Sequence, residues 1–162
     1  MIQAEQLHGI ISHTVFENGK MEYGRLNEKN IIKTAYGEMI PRYSPPDYRD
    51  KGLRSLSFYE SGAVKSISLE EQTVINTPIG EFPAELVTFY ESGKLNSFFP
   101  LNGQIGFGWS EEEEKSLAAD VTLSFPFGSF SAKPIGFRFY ESGAFRSLTI
   151  WPYTRITDPR LT

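Results

Sequence analysis

Few residues in this chain could do chemistry. His8 and His13 are the only two histidines, and there is no cysteine. A zinc site would therefore need carboxylates to complete its ligand set. The plainer reading of both histidines is solvent-side residues before or within a first hairpin. Glutamates recur at Glu60, Glu91 and Glu141, with Glu17 as a fourth. Paired carboxylates can hydrolyse glycosides or hold calcium. A catalytic pair needs two unlike environments, whereas copies of a repeat sit in like ones, so these read as polar turn residues. No phosphate-binding loop, dinucleotide fingerprint, nucleophile elbow or zinc-protease motif occurs. The sequence thus nominates no catalytic, metal-binding or cofactor-binding residue. What remains is Tyr59, Tyr90 and Tyr140, at equivalent positions. Aligned on one surface, their rings could stack on sugars or anchor a protein partner. The competing reading is packing across neighbouring hairpins or against the loop. Trp109 and Trp151 fit core anchors better than members of such a stripe.

These tyrosines belong to one short phrase: Phe58-Tyr59-Glu60-Ser61-Gly62, Phe89-Tyr90-Glu91-Ser92-Gly93 and Phe139-Tyr140-Glu141-Ser142-Gly143. A worn copy, Val15-Phe16-Glu17-Asn18-Gly19, stands near the start. Glu-Ser-Gly between two strand-like runs reads as a type I turn followed by a left-handed Gly, a geometry that joins antiparallel strands. The predicted register sets Phe58 opposite Val64, Ser57 opposite Lys65 and Leu56 opposite Ser66. In the next copy it sets Phe89 against Leu95, Thr88 against Asn96 and Val87 against Ser97. In the last it sets Phe139 against Phe145, Arg138 against Arg146 and Phe137 against Ser147. The worn copy gives Val15 with Met21 and Thr14 with Glu22. One face is apolar at its leading pair in every copy and the other is polar, as a half-buried sheet requires. Phe points inward and Tyr lies on the opposite face.

A second turn recurs between the first ones: Thr34-Ala35-Tyr36-Gly37, Thr77-Pro78-Ile79-Gly80 and Phe125-Pro126-Phe127-Gly128. A small residue or Pro, a large apolar residue and then Gly is plausible turn chemistry. A further Gly turn is expected at Leu101-Asn102-Gly103-Gln104. Residues 41–52, with Pro45, Pro46 and several charges, read as a surface loop that could cover a sheet edge. Ser110 followed by Glu111 to Glu114 reads as a capped helix start, giving one short helix over residues 110–119, pinned to the sheet by Trp109 and Leu117. The acidic run is a solvated first turn rather than a docking site. The tail from Pro152 carries no pattern and is expected loose or draped on a face.

Composition agrees. Aromatic residues make up 14% of the chain, and 14 Gly and 10 Pro punctuate it, a balance that favours strands and turns over helices. A length of 162 residues suits one domain with its own core. A net charge of -4 gives no basic footprint, which argues against nucleic-acid binding. The first residues lack a basic segment followed by an apolar run, so no signal peptide is read. No apolar stretch approaches membrane-spanning length. A cytoplasmic location is the expectation.

The stretch Phe89-Tyr90-Glu91-Ser92-Gly93-Lys94-Leu95-Asn96-Ser97, followed by Leu101-Asn102-Gly103-Gln104-Ile105-Gly106, resembles the MORN-repeat variant, a family of tandem tyrosine-rich β-hairpins found in bacterial proteins, some labelled antitoxin components. Val15-Phe16-Glu17-Asn18-Gly19-Lys20-Met21-Glu22-Tyr23-Gly24-Arg25-Leu26 is similar to it as well. The intervals between phrases are uneven here, and the Thr-Pro-Ile-Gly element lies outside the family's pattern. The resemblance implies a hairpin array and a scaffolding or partner-binding role.

The chain is therefore expected to be an all-β, mainly antiparallel meander of repeated hairpins spanning residues 1–162 as one domain, either open and twisted or curled into a roll or barrel. The leading functional expectation is a non-enzymatic protein-binding or scaffold module without cofactor. The alternatives are a small-ligand or carbohydrate binder that uses Tyr59, Tyr90 and Tyr140, or an enzyme with a Tyr/Glu-lined site in the concave face of the sheet.

Overall fold

The computed structural model describes residues 2–47, 49, 54–102, 108–126 and 128–152. The expected turn after Asn102, most of the second half of the 41–52 loop and the C-terminal tail lie outside the described residues. A short 3-10 turn, Ala4–Gln6, precedes twelve strands: β1 (Ile10–Val15), β2 (Met21–Leu26), β3 (Ile32–Thr34), β4 (Gly37–Met39), β5 (Leu56–Phe58), β6 (Val64–Thr77), β7 (Gly80–Phe89), β8 (Leu95–Phe99), β9 (Val121–Phe125), β10 (Gly128–Ala132), β11 (Pro134–Phe139) and β12 (Phe145–Ile150). The one α-helix described, α1, spans Glu111–Leu117.

The four copies of the phrase form four hairpins, β1–β2, β5–β6, β7–β8 and β11–β12. They stand side by side in one eight-stranded sheet, in the order β1-β2-β5-β6-β7-β8-β11-β12. Every described pairing is antiparallel. Among the described residues the sheet is open, with β1 and β12 at its edges. Each turn closes identically. Gly62 donates its backbone N–H to Tyr59 O at 2.8 Å, and Tyr59 donates to Ala63 O at 2.8 Å. Gly93 with Tyr90, Gly143 with Tyr140 and Gly19 with Phe16 repeat the first contact at 2.8–2.9 Å. The turn glycines have φ of 79–92°, which a residue with a Cβ adopts only at a cost.

The leading pairs stand as expected: Val15 with Met21, Phe58 with Val64, Phe89 with Leu95 and Phe139 with Phe145. Beyond them the register differs from the one read off the sequence. Ser57 pairs with Ser66, not Lys65, and Leu56 with Ile67, not Ser66. Thr88 pairs with Ser97 and Val87 with Phe98. Arg138 pairs with Ser147 and Phe137 with Leu148. Thr14 pairs with Tyr23 rather than Glu22. One residue of each return strand, Glu22, Lys65, Asn96 or Arg146, is therefore extra, a bulge placed just after the leading pair. Burial is the physical reason. The simple register sets Leu56, Val87 and Phe137 against serines on the core face. The bulge turns the return strand by one position, so that each meets Ile67, Phe98 or Leu148. Phe58, Phe89, Phe98, Phe137 and Phe139 are fully buried in consequence.

The second kind of turn makes the hairpins that cover this apolar face. Thr34 pairs with Gly37, Thr77 with Gly80 and Phe125 with Gly128, each across a two-residue connection. Thr34 and Thr77 brace the first two from within, each donating its hydroxyl to the carbonyl of the paired glycine at 2.8 and 2.7 Å. β6 and β7 are long, and their pairing is interrupted between Ser68 and Thr73. The far half of this ribbon bends over the sheet there, because Phe82 packs against both Phe98 and Phe137, with ring centres 5.6 and 5.1 Å apart. Ile32 and Met39 of β3–β4 and Ile75 of β6 are fully buried in the same layer. Tyr36 accepts a hydrogen bond from Leu95 N at 2.8 Å, and Phe125 of β9 lies 5.4 Å from Phe145. A hairpin in the sheet followed by one folded back over it is the larger repeat.

Helix α1 begins as expected, with Ser110 and Glu113 in a reciprocal capping box. Its anchorage differs. Leu117 is exposed, and the buried residue is Glu114. Arg49 donates to Glu114 at 2.8 and 3.0 Å and to Glu85 of β7 at 2.9 and 3.2 Å. Trp109 Nε1 adds a bond to Glu114 at 2.8 Å, and Asn102 N one to Glu85 at 2.8 Å. An ion pair thus fastens loop, helix and sheet. A short helix needs such tertiary support.

Candidate functional site

The face of the sheet opposite the aromatic core carries the candidate binding surface. The strand pairings join one residue from each strand into a row across it: Thr14, Tyr23, Ser57, Ser66, Thr88, Ser97, Arg138 and Ser147. The bulges put these polar residues in register. Within two hairpins the hydroxyls bond to each other, Ser57 with Ser66 and Thr88 with Ser97, both at 2.5 Å.

Tyr59, Tyr90 and Tyr140 emerge on this face at the turn end of the strands, and the structure gives them two different situations. Tyr59 donates its hydroxyl to the carbonyl of Phe89 at 2.8 Å, and Tyr90 donates to the carbonyl of Phe139 at 2.7 Å. Each tyrosine of one hairpin thus reaches the Phe that precedes the tyrosine of the next. The two form a ladder that ties neighbouring hairpins, and both are half-buried. Burial, then the nearby charges of Glu91, Tyr90 and Glu141, push the Tyr59 phenol above its ordinary value. Tyr140 belongs to the hairpin at the β12 edge, and no further hairpin lies beside it among the described residues. It is 52% exposed, and its hydroxyl makes no hydrogen bond among the described residues. The Arg146 guanidinium lies 5.4 Å from its ring centre. Phe16 stands in the equivalent place in the first hairpin and lacks the hydroxyl altogether.

Beside Tyr59, and away from Tyr90 and Tyr140, runs a groove of about 410 Å³, open to solvent. Its floor is Ser57, Ser66, Thr88 and Ser97; Tyr59, Lys65, Asn96, Phe99 and Arg138 border it. The Lys65 ammonium lies 5.5 Å from the Tyr59 ring centre. Phe99 lies across Gly136, where a Cβ would come within 2.7 Å of the ring, so that glycine permits the aromatic wall. Hydroxyls, two cations and aromatic rings can bind an elongated polar or anionic ligand. The lining holds no carboxylate or imidazole to move a proton.

Glu17, Glu60, Glu91 and Glu141 are exposed at the turn tips. His8 and His13 are exposed as well, and among the described residues no group of three His, Asp or Glu side chains could hold a metal ion. Trp109 and Trp151 lie away from the tyrosines, Trp109 on Glu114 and Trp151 buried. Sequence reasoning missed Lys65, Asn96, Phe99 and Arg138 as groove residues. The apolar spacing on the return strands, three residues from Val64 to Ile67 and from Leu95 to Phe98, was the available sign of the bulge that places them.

The edges of the sheet are the other exposed feature. β1 contains no charged residue and no proline, and Ile11 and Val15 are 55% and 51% exposed. Among the described residues no helix is long and apolar enough to cross a membrane. Comparison with family models, with curated proteins and with solved structures gives no match for this chain.

Proposed function

We propose that the chain is a non-enzymatic protein-binding or scaffold module, as its resemblance to the MORN-repeat variant implies. The observation that carries this reading is the uncovered edge β1, an uncharged strand with exposed Ile11 and Val15. Unprotected apolar edges pair with further strands, and natural proteins blunt them with charge, proline or a cover when pairing is unwanted. Addition of a partner strand to such an edge supplies affinity through backbone hydrogen bonds. The test places a photo-crosslinking residue at Ile11 and, as a control, at the exposed Lys33, in the full chain within the cells that express it. The reading expects a discrete protein adduct from position 11 and none from position 33. Equal labelling from both positions, or none from position 11, would overturn it.

The groove on the polar face favours a second reading, a carbohydrate or other small polar ligand. Hydroxyls and two cations border it beside the Tyr59 and Phe99 rings, a pairing of stacking surface with hydrogen-bonding groups that suits sugars. A glycan array decides this. Binding that Phe99→Ala and Lys65→Ala both abolish supports it, and a blank array sinks it.

A further inference from the structure

We propose that the partner taken up at the sheet edge is a second copy of this chain, added head to tail, with β12 of one copy against β1 of the next. This rests on the protein-binding reading above and names the partner.

The interface it requires already exists three times within the molecule. Where one phrase hairpin meets the next, the register follows a single rule. Tyr23 and Gly24 pair with Ser57 and Leu56, Ser66 and Ile67 with Thr88 and Val87, and Ser97 and Phe98 with Arg138 and Phe137. In every case the residue after the bulge faces the residue before the leading core position. Applied once more, the rule sets Ser147 of β12 opposite Thr14 of an incoming β1, and Leu148 opposite His13. The polarity is also correct. Each hairpin's return strand pairs antiparallel with the lead-in strand of its successor, and β12 is a return strand while β1 is a lead-in strand.

The tyrosine ladder points the same way. Tyr59 and Tyr90 each donate to the carbonyl at the leading core position of the next hairpin. Tyr140 is 52% exposed with an unpartnered hydroxyl among the described residues, and the equivalent carbonyl on an incoming copy is that of Val15. The two ends of the sheet thus carry complementary halves of one contact. Val15 and Ile11, exposed in the single chain, would be covered as the central hairpins are. Such a contact is heterologous and leaves a free edge at each end, so it propagates.

The chain has no cysteine, which allows a direct test. A Thr14→Cys variant and a Ser147→Cys variant are mixed and oxidised, alongside a pair one position out of register, Thr14→Cys with Leu148→Cys. Directly opposed residues on antiparallel strands lie within disulfide reach. Sedimentation velocity of the unmodified chain across a range of concentrations is the second arm. The expected result is a mixed disulfide from Thr14→Cys with Ser147→Cys but not from the shifted pair, and a mass that rises with concentration. Ile11→Lys should abolish that rise, and Tyr140→Phe should weaken it. A constant monomer mass overturns the proposal, as does a disulfide formed by Thr14→Cys with itself, which would mean a symmetric β1–β1 contact. A constant monomer mass together with an adduct of another protein at position 11 overturns the second copy and leaves the protein-binding reading standing.

Discussion

Changing Tyr59, Tyr90 and Tyr140 singly to Phe makes the same chemical change at three copies of one phrase, and the structure expects unequal costs. Tyr59→Phe and Tyr90→Phe each remove a hydroxyl that bonds a carbonyl of the neighbouring hairpin at 2.8 and 2.7 Å. A neutral hydrogen bond contributes about 0.5–1.5 kcal/mol net, because water replaces it in the unfolded chain. Both tyrosines are half-buried rather than enclosed, which puts each loss near 1 kcal/mol, or about 2–4 °C in Tm for a chain of this size. The double variant should lose about 2 kcal/mol if the bonds act separately, and a departure from that sum measures their coupling, since the Phe89 carbonyl that Tyr59 bonds adjoins Tyr90. Tyr140→Phe removes a hydroxyl with no partner among the described residues and should stay within about 0.5 kcal/mol of the parent. Phe16→Tyr offers the missing hydroxyl to the carbonyl of Phe58 and should gain up to about 1 kcal/mol.

Urea unfolding at protein concentrations low enough to keep the chain monomeric measures all five variants on one scale. The Tyr59 hydroxyl adds an alkaline signature. Burial and neighbouring negative charge raise its folded pKa, so its contribution is complete below the unfolded tyrosine value of about 10. It is lost as pH rises through the higher folded value. Tyr59→Phe should lack that alkaline loss. If Tyr140→Phe costs as much as Tyr90→Phe, ring packing rather than the hydroxyl ladder holds the hairpins, and the reasoning fails.

Three other perturbations follow from the structure. Gly93→Val forces a β-branched residue to φ of 85° and should cost about 1–2 kcal/mol, whereas a melt equal to the parent's would contradict the turn geometry. Arg49→Ala leaves Glu114, 4% exposed, and Glu85 without their shared cation. It should destabilise by about 3 kcal/mol in chemical denaturation, and Glu114→Leu added to it should recover part of that loss. For Glu70, burial favours the neutral acid. The Ser44 hydroxyl, the backbone N–H groups of Tyr43 and Ser44 and the charge of Arg42 outweigh it and lower the carboxyl below its ordinary value. Its contribution is present above the unfolded value of about 4.3 and is lost as pH falls through the lower folded value. The Tm gap between the parent and Glu70→Gln should therefore close on acidification below that range, and a gap that persists at the acid end would refute the assignment.

The hairpins, the inward Phe, the turn glycines and the capping box were legible in the sequence because each depends on residues a few positions apart. The register beyond the first pair was read one position off, although the sign of the bulge was local too. On the lead-in strand the core residues Leu56 and Phe58 are two apart, while on the return strand Val64 and Ile67 are three apart, and only a bulge reconciles these spacings. The Arg49 pairs with Glu85 and Glu114 had no such sign. They span 36 and 65 positions, and Glu114 stands last in a run of four glutamates whose burial only the fold distinguishes.

The ladder lies between these cases. No short window shows that Tyr59 bonds Phe89, yet repetition alone constrains the ends of such an array. When like hairpins stand side by side, each offers one neighbour what it takes from the other. Among the described residues the first then presents a carbonyl that no neighbouring tyrosine reaches, and the one at the far edge a hydroxyl without a partner. Val15 and Tyr140 hold those two positions. The exposure of Tyr140 beside the half-burial of Tyr59 and Tyr90 follows from its place at the edge of the described sheet, not from any difference in the phrase itself. The place where three equal tyrosines become unequal is the place where a further strand fits.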